Sequence, residues 1–379
     1  MSRQPVALTG LQQAFPYPRS GGGATTDLGR LLIAEIRKEG PLPFSDYMDR
    51  CLYHPELGYY ARPQTRTVSK DGDFMTSVSV GPVFGTLLAH RLHQFWRAQG
   101  APASFLVVEP GAHDGSLALD VLDGMTALDP DFARAVRYLV VEPLVHRQPG
   151  LRARLGERAT VIDSPAEVRA PFGALIANEV LDALPVPLFL HSHDHWHEAL
   201  VTVREDQLDW ETRPAQPALP QNFSEGFVTE GYVTEGSPDF ADFLTPYASI
   251  FERGLFLWID YGLDEATLHH PARTAGTLRC FRQHSTKAHP LDHPGEQDLT
   301  ADVNFTAFER AARSLDLTVH PAMNQSRYLT YVGRDWLLAQ PSPREISQFQ
   351  TLIHPSQFGN RFYGLELTKG PVKRGFADD

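Results

Sequence analysis

Cysteine is nearly absent: Cys51 and Cys280 are the only two in 379 residues, and no CxxC spacing occurs. That excludes a disulfide framework and a cysteine-based zinc site, and it suits a reducing compartment. No apolar run approaches the ~20 residues needed to span a bilayer. The first thirty residues lack the apolar core of a secretory signal. Basic residues are the minority, 34 Lys and Arg against 46 Asp and Glu, for a net charge of −12. An acidic surface neither releases counterions from nucleic acid nor meets anionic lipid, so neither partner is expected. A cationic partner suits the balance, although an ordinary acidic soluble protein explains it as well. The expected location is cytoplasmic.

What is present divides the chain into five stretches. Residues 1–25 read as a flexible tail: the composition faintly resembles a transit peptide, but Pro16, Pro18 and Gly21 to Gly23 break any helix there. Residues 26–100 read as a helical cap. Leu28, Leu31, Leu32 and Ile36 share a stripe after Thr26 or Asp27, a second helix follows Ser45, and Phe84 to Trp96 repeat at helical spacing. Residues 101–185 alternate short apolar runs with helices, among them Phe105 to Glu109, Tyr138 to Glu142 and Ala174 to Asn178. Strands apolar on both faces belong to a mainly parallel sheet with helices on each side, an α/β fold. Residues 186–237 read as an inserted antiparallel β subdomain, and 238–379 resume the sheet from Leu255 to Asp260 and end in a strand near Phe362 to Thr368, at or near an edge. Gly226 to Glu230 is almost duplicated by Gly231 to Glu235, too short a repeat for a solenoid. His191, His193, His195 and His197 alternate and would share one face of a strand. With no cysteine ligand nearby, a solvent-facing strand explains them better than a metal, and no metal is expected.

Chemistry concentrates in Phe105-Leu-Val-Val-Glu-Pro-Gly-Ala-His-Asp-Gly-Ser-Leu117, which reads as strand, glycine turn and helix start. Gly111 and Gly115 permit unusual backbone angles and close approach of a ligand, while free amides at the helix start offer donors. The full GxGxxG pattern is missing, and Glu109 stands before the first glycine. A carboxylate there repels a pyrophosphate but meets the cationic amino end of a methionine moiety, which favours S-adenosyl-L-methionine over NAD. Glu142, ending the next strand, is expected to take the adenosine ribose hydroxyls. The alternative is an ordinary strand-to-helix turn beside solvated glutamates.

Ordered blocks then cover most of the chain: Gly40-Pro-Leu-Pro-Phe-Ser-Asp-Tyr-Met48, His54-Pro-Glu-Leu-Gly-Tyr-Tyr60, Gly72-Asp-Phe-Met-Thr-Ser77, Asn178-Glu-Val-Leu-Asp-Ala-Leu-Pro185, Asp260-Tyr-Gly262, Asp298-Leu-Thr-Ala-Asp-Val-Asn304 and Gly359-Asn-Arg-Phe362. In these the sequence resembles the MidA-like family of class I methyltransferases, which includes the mitochondrial complex I assembly-factor arginine methyltransferase and bacterial relatives. The resemblance implies a Rossmann-like methyltransferase sheet under a helical N-terminal cap. It implies Gly111 and Gly115 against the cofactor, Thr76 and Ser77 near its methionine end, and Asn178 and Glu179 at the edge between cofactor and substrate. One departure is His113, which stands where the family commonly has the central glycine of Gly-x-Gly-x-Gly.

If the acceptor is an arginine guanidinium in a partner protein, carboxylates must hold the cation and aim one nitrogen. Glu179 is the first candidate and Asp182 the second, both after a strand end where α/β ligands gather. A turn cap and a solvated aspartate are the competing explanations. Asp260 either lines the acceptor pocket or orders the next loop. Two other functions stay open: a non-catalytic assembly protein that retains the fold, favoured by His113, and a small-molecule methyltransferase. A homodimer is compatible with all three.

Overall fold

Apolar runs flanked by turn residues become strands wherever both faces can be covered, and they set the frame of this molecule. The computed structural model describes residues 25–61, 76–220, 223, 228–282 and 288–375. The expected tail up to residue 24, the Gly72 to Met75 part of its block and the start of the Gly226 repeat lie outside the described residues.

The chain opens with helix Asp27–Glu39, whose first turn is capped by the Thr26 hydroxyl on the Gly29 amide at 2.9 Å. Strand β1 (Leu42–Pro43) leads into helix Phe44–Tyr53, and helix Val83–Ala98 follows. Strands β2 (Phe105–Pro110), β3 (Val136–Val141), β4 (Thr160–Ile162) and β5 (Ala170–Asn178) then alternate with helices. An antiparallel stretch supplies β6 (Leu188–Ser192), β7 (His195–Arg204), β8 (Gln207–Pro214) and β9 (Val233–Glu235). Long β10 (Phe251–Leu263) returns to the main sheet. Then come β11 (Arg279–Phe281), β12 (Asp298–Thr300) and three two-residue strands: β13 (Val303–Asn304), β14 (Thr318–Val319) and β15 (Met323–Asn324). Strand β16 (Phe362–Lys369) closes the chain's sheet.

The main sheet runs β14-β16-β10-β5-β2-β3-β4. Strands β4, β3, β2, β5 and β10 are mutually parallel, and β16 is antiparallel to β10 and β14. The order reverses between β2 and β5, which opens a crevice at their carboxyl ends, where α/β folds bind ligands. The final strand lies next to the edge, as expected: on its outer side β16 carries only the two-residue strands β14 and β15. Its Glu366 would otherwise be an isolated buried charge, but Arg91 and Arg374 and the Tyr328 hydroxyl at 2.8 Å all meet it.

The second sheet, β1-β7-β6-β9 with β8 on β7, draws its first strand from the cap. Leu28, Phe44, Leu52, Val201, Trp210 and Leu299 accordingly share one apolar cluster, so cap and insertion pack as a unit. The histidines do not share a strand face. His193 and Asp194, with φ of 51° and 60°, form the tight turn between β6 and β7, and His191 packs its ring against Trp196. Among the described residues no helix is long and apolar enough to cross a membrane.

Candidate active site at the switch point

Strand β2 is buried along its whole length and delivers the glycine loop to the crevice. Three loop residues take positive φ: Gly111 at 66°, His113 at 51° and Gly115 at 81°. Register explains the neighbourhood: Pro110 pairs with Val141, and the Gly111 amide donates to the Val141 carbonyl at 3.0 Å. Gly111 and Glu142 therefore emerge side by side from adjacent parallel strands. A Cβ on Gly111 would meet Val180 Cγ2 at 3.2 Å, narrowing the crevice. Helix Ser116–Leu128 starts from the loop, and Asp114 ties it down: its carboxylate accepts from the Ser116 amide at 3.0 Å and from Arg154 at 2.6 Å.

The two glutamates are buried beside this loop. Burial pushes Glu109 up to about 7, partly offset by the Tyr138 hydroxyl that donates to it. Burial also raises Glu142, opposed by Arg147 and by the Leu144 amide, which donates at 3.0 Å.

Across the crevice, β5 ends at Asn178, whose partner in β10 is Ile259. Glu179 then adopts φ 53°, outside the usual range for a side-chain-bearing residue. The Asn178 amide donates to its carboxyl at 2.9 Å, and the Ser77 backbone amide bonds it from the cap side. Thr76 and Ser77 are buried here. Burial, then repulsion from Asp182, pushes Glu179 up to about 8. Asp182 accepts from the Tyr261 hydroxyl and is itself raised to about 6 by burial. Asp260 has a different posture. Its carboxylate accepts from the backbone amides of Val180, Leu181, Asp182 and Tyr261 at 2.8 to 3.3 Å, so it orders the turn that carries the other two acids. Burial and the two neighbouring acids raise it.

Beside Glu179 lies a chamber of about 240 Å³ walled by Tyr261, Phe281, Phe358 and Phe362, with Arg361 and Gln357 at its lining. Tyr261 and Phe362 are register partners on β10 and β16, with ring centroids 5.3 Å apart at 77°. Gly262 keeps this corner tight, since a Cβ there would sit 2.2 Å from the Val303 carbonyl oxygen. From the cap, Tyr53 donates to the Ala183 carbonyl and Tyr60 to Asp298, each at 2.9 Å, bracing the far side of the turn.

Sequence reasoning missed the roles of Tyr261, Phe362 and Arg361. Both blocks that contain them were visible, but only strand pairing brings residue 361 back to residue 261.

The donor set suits S-adenosyl-L-methionine. Two buried carboxyls border a loop with open backbone, and the buried Asn178 Oδ1 has no hydrogen-bond partner among the described residues, an acceptor left for a donor such as a ligand's cationic amino group.

Comparison with known proteins agrees. The model of a family described as "Putative S-adenosyl-L-methionine-dependent methyltransferase" matches residues 87–323. The Drosophila melanogaster protein arginine methyltransferase NDUFAF7 homolog, mitochondrial, is 29% identical, aligned over 94% of this chain and 88% of its own. The Homo sapiens protein arginine methyltransferase NDUFAF7, mitochondrial, is 27% identical over 89% and 82%. A Burkholderia thailandensis crystal structure with S-adenosyl-homocysteine bound is 28% identical, with a TM-score of 0.78 covering 100% of this chain and 97% of that one. These curated relatives are mitochondrial by name, which overturns the cytoplasmic location expected from composition.

Proposed function

The chain belongs to the S-adenosyl-L-methionine-dependent methyltransferase family whose model matches residues 87–323, and on that premise we propose that it methylates an arginine guanidinium of a partner protein. The observation that carries this reading is Glu179: a carboxyl held at the switch point, between the glycine loop and an aromatic-walled chamber. The names of the curated relatives support arginine as the acceptor, and the acidic balance suits a cationic partner.

When bound, S-adenosyl-L-methionine supplies an electrophilic methyl group on a sulfonium. The residues that would hold it are Gly111, His113 and Gly115 through the loop backbone, Glu142 at the ribose, and Glu109, Asn178, Thr76 and Ser77 around the methionine end. Glu179 holds the acceptor guanidinium and accepts the proton that the attacking nitrogen must lose, for which a carboxyl raised by burial is suited. Asp182 acts on the chamber through the Tyr261 hydroxyl, and Asp260 fixes the turn that carries both. The site mainly aligns two reactants and excludes water.

Two observations bear on the competing readings. His113 reaches the left-handed region its position requires, so the loop keeps its path without the family's glycine. The chamber is also small and walled by rings, which suits a single side chain.

The division of the chain into cap 26–100, insertion 186–237 and the two parts of the sheet domain, 101–185 and 238–379, belongs to the same proposal. Its support is partial: residues 28–59 of the cap share a cluster with the insertion, separate from those flanking the main sheet, whereas the helix Val83–Ala98 packs into the main sheet's own cluster.

The test is transfer of labelled methyl from S-adenosyl-L-methionine into an extract of cells lacking this protein, with the label located by mass spectrometry. Methylarginine in a discrete partner is the expected product. Label on another atom, or none above background, overturns the arginine reading.

A further inference from the structure

Within the chamber beside Glu179, one guanidinium is already present. The Arg361 Cζ lies 4.8 Å from the centroid of the Tyr261 ring. Arg361 follows directly on Asn360, its backbone amide donates to the Phe358 carbonyl at 3.2 Å, and the residue is exposed while lining the chamber. Among the described residues no carboxylate lies within ion-pair distance of it, so the ring face is the contact that positions it. A planar cation on an aromatic face is a recognised pairing, favoured for arginine. Here the ring is primed for it. The Tyr261 hydroxyl donates to buried Asp182, and such a bond polarises the phenol toward greater electron density in the ring. Phe362 stands edge-on to the same ring, and Phe358 lies 5.7 Å from Phe362, so apolar rings flank the platform.

We propose that this chamber is a binding site for a planar guanidinium cation, with the Tyr261 face as platform and Glu179 as the carboxyl at its inner end, and that Arg361 is a built-in cation which the incoming guanidinium displaces. The inference rests on the arginine reading above and deepens it, by placing the acceptor and naming its competitor. The exchange is favourable because the two cations are unequal. Arg361 has the ring face and only the longer-range attraction of Glu179, beyond ion-pair distance, whereas an incoming guanidinium gains the ring face and a direct carboxylate pair at once, and charge-assisted pairs are the stronger. Displacement also moves a positive charge away from the bound acceptor. Arg279 lies over the same ring at 5.6 Å, but its pairing with Asp302 at 2.6 Å ties it in place, so Arg361 is the cation able to leave.

The probe is ethylguanidinium, titrated calorimetrically into the full chain with and without S-adenosyl-homocysteine. Arg361→Gln should bind it about two- to fivefold more tightly than the parent, the worth of one exposed cation–ring contact. Tyr261→Phe should keep binding but weaken it about two- to threefold, since the face remains while the polarising bond to Asp182 is lost, and Tyr261→Leu should lose about tenfold or more. Thermal unfolding of each variant identifies any that fails to fold, and the exposed Arg361→Gln carries the test if Tyr261→Leu does. Unchanged or weaker binding by Arg361→Gln overturns the proposal, as does ethylguanidinium binding to neither the parent nor Arg361→Gln. Tightening by Arg361→Gln without methylarginine in the extract assay leaves the pocket standing and removes only the acceptor reading.

Discussion

His113 shows how one side chain can be tolerated where a glycine is customary. At φ 51° it occupies the left-handed region, a few per cent habit among non-glycine residues in which histidine is enriched. Its ring lies near Asp114, Nδ1 to Oδ1 3.8 Å, within a loop that Arg154 also fastens. A β-branched residue lacks that tolerance, so His113→Val should cost about 1–2 kcal/mol in thermal unfolding and weaken S-adenosyl-homocysteine in calorimetric titration. His113→Gly should fold with the cofactor affinity largely kept. Glu179 makes a second prediction. Its carboxyl is raised to about 8, so near neutral pH the free site holds a proton that a bound guanidinium must expel. Acceptor affinity should therefore rise with pH up to about 8 and level off above it, since arginine itself stays charged. Asp182, raised to about 6, faces the same group and broadens the transition, Arg361 acts on it as a fixed positive charge, and Glu179→Gln should flatten it. A pH-independent affinity in the parent would sink this assignment.

At the scale of elements, the helix Val83–Ala98 and β16 are held by a charge cluster rather than by apolar contact alone. Arg91 and Glu366 are both buried and bond at 2.6 and 3.0 Å, with Tyr328 and Arg374 completing the carboxylate's partners. Removing one partner leaves a charge in the core, so Arg91→Leu should destabilise the fold by about 3–5 kcal/mol in denaturant unfolding. Elements of this kind were legible where pattern is local. The runs at Phe105, Tyr138 and Leu255 announced parallel strands because burial on both faces leaves a continuous apolar signature, and Thr26 announced a helix start through its cap. Pairing was not legible. Nothing in the spacing shows that β1, two residues of the cap, adds to the inserted sheet, or that β14 and β15 cover the last strand. The histidine segment failed for the same reason: alternation alone does not reveal a two-residue turn at His193 and Asp194. The site was half legible. The acids sit at strand ends that the sequence marked, while the aromatic walls come from distant residues, Phe358 and Phe362 joined to Tyr261 by the antiparallel return of β16 and Phe281 brought in on β11.

The molecule as a whole places two covers over one crevice. The main sheet contributes the glycine loop and the acids, and the cap with its inserted sheet contributes Ser77, Tyr53 and Tyr60 from above. Because Phe44 of the cap packs against Trp210 of the insertion, at 5.6 Å between tilted rings, the two cannot act as independent lids. Deleting either should expose the shared cluster and unfold the other, seen as loss of both tyrosine contacts and protease resistance together. The account's central claim is that Glu179 receives the acceptor at a site whose cofactor is held by the glycine loop. Single-turnover methyl transfer to an arginine-containing partner protein, measured for the parent and for Glu179→Gln at matched S-adenosyl-L-methionine saturation, tests it most directly. The account predicts cofactor affinity within a few-fold of the parent and transfer slowed about a hundredfold or more, the usual loss on removing a proton-accepting group. Equal transfer rates in the two proteins would contradict it.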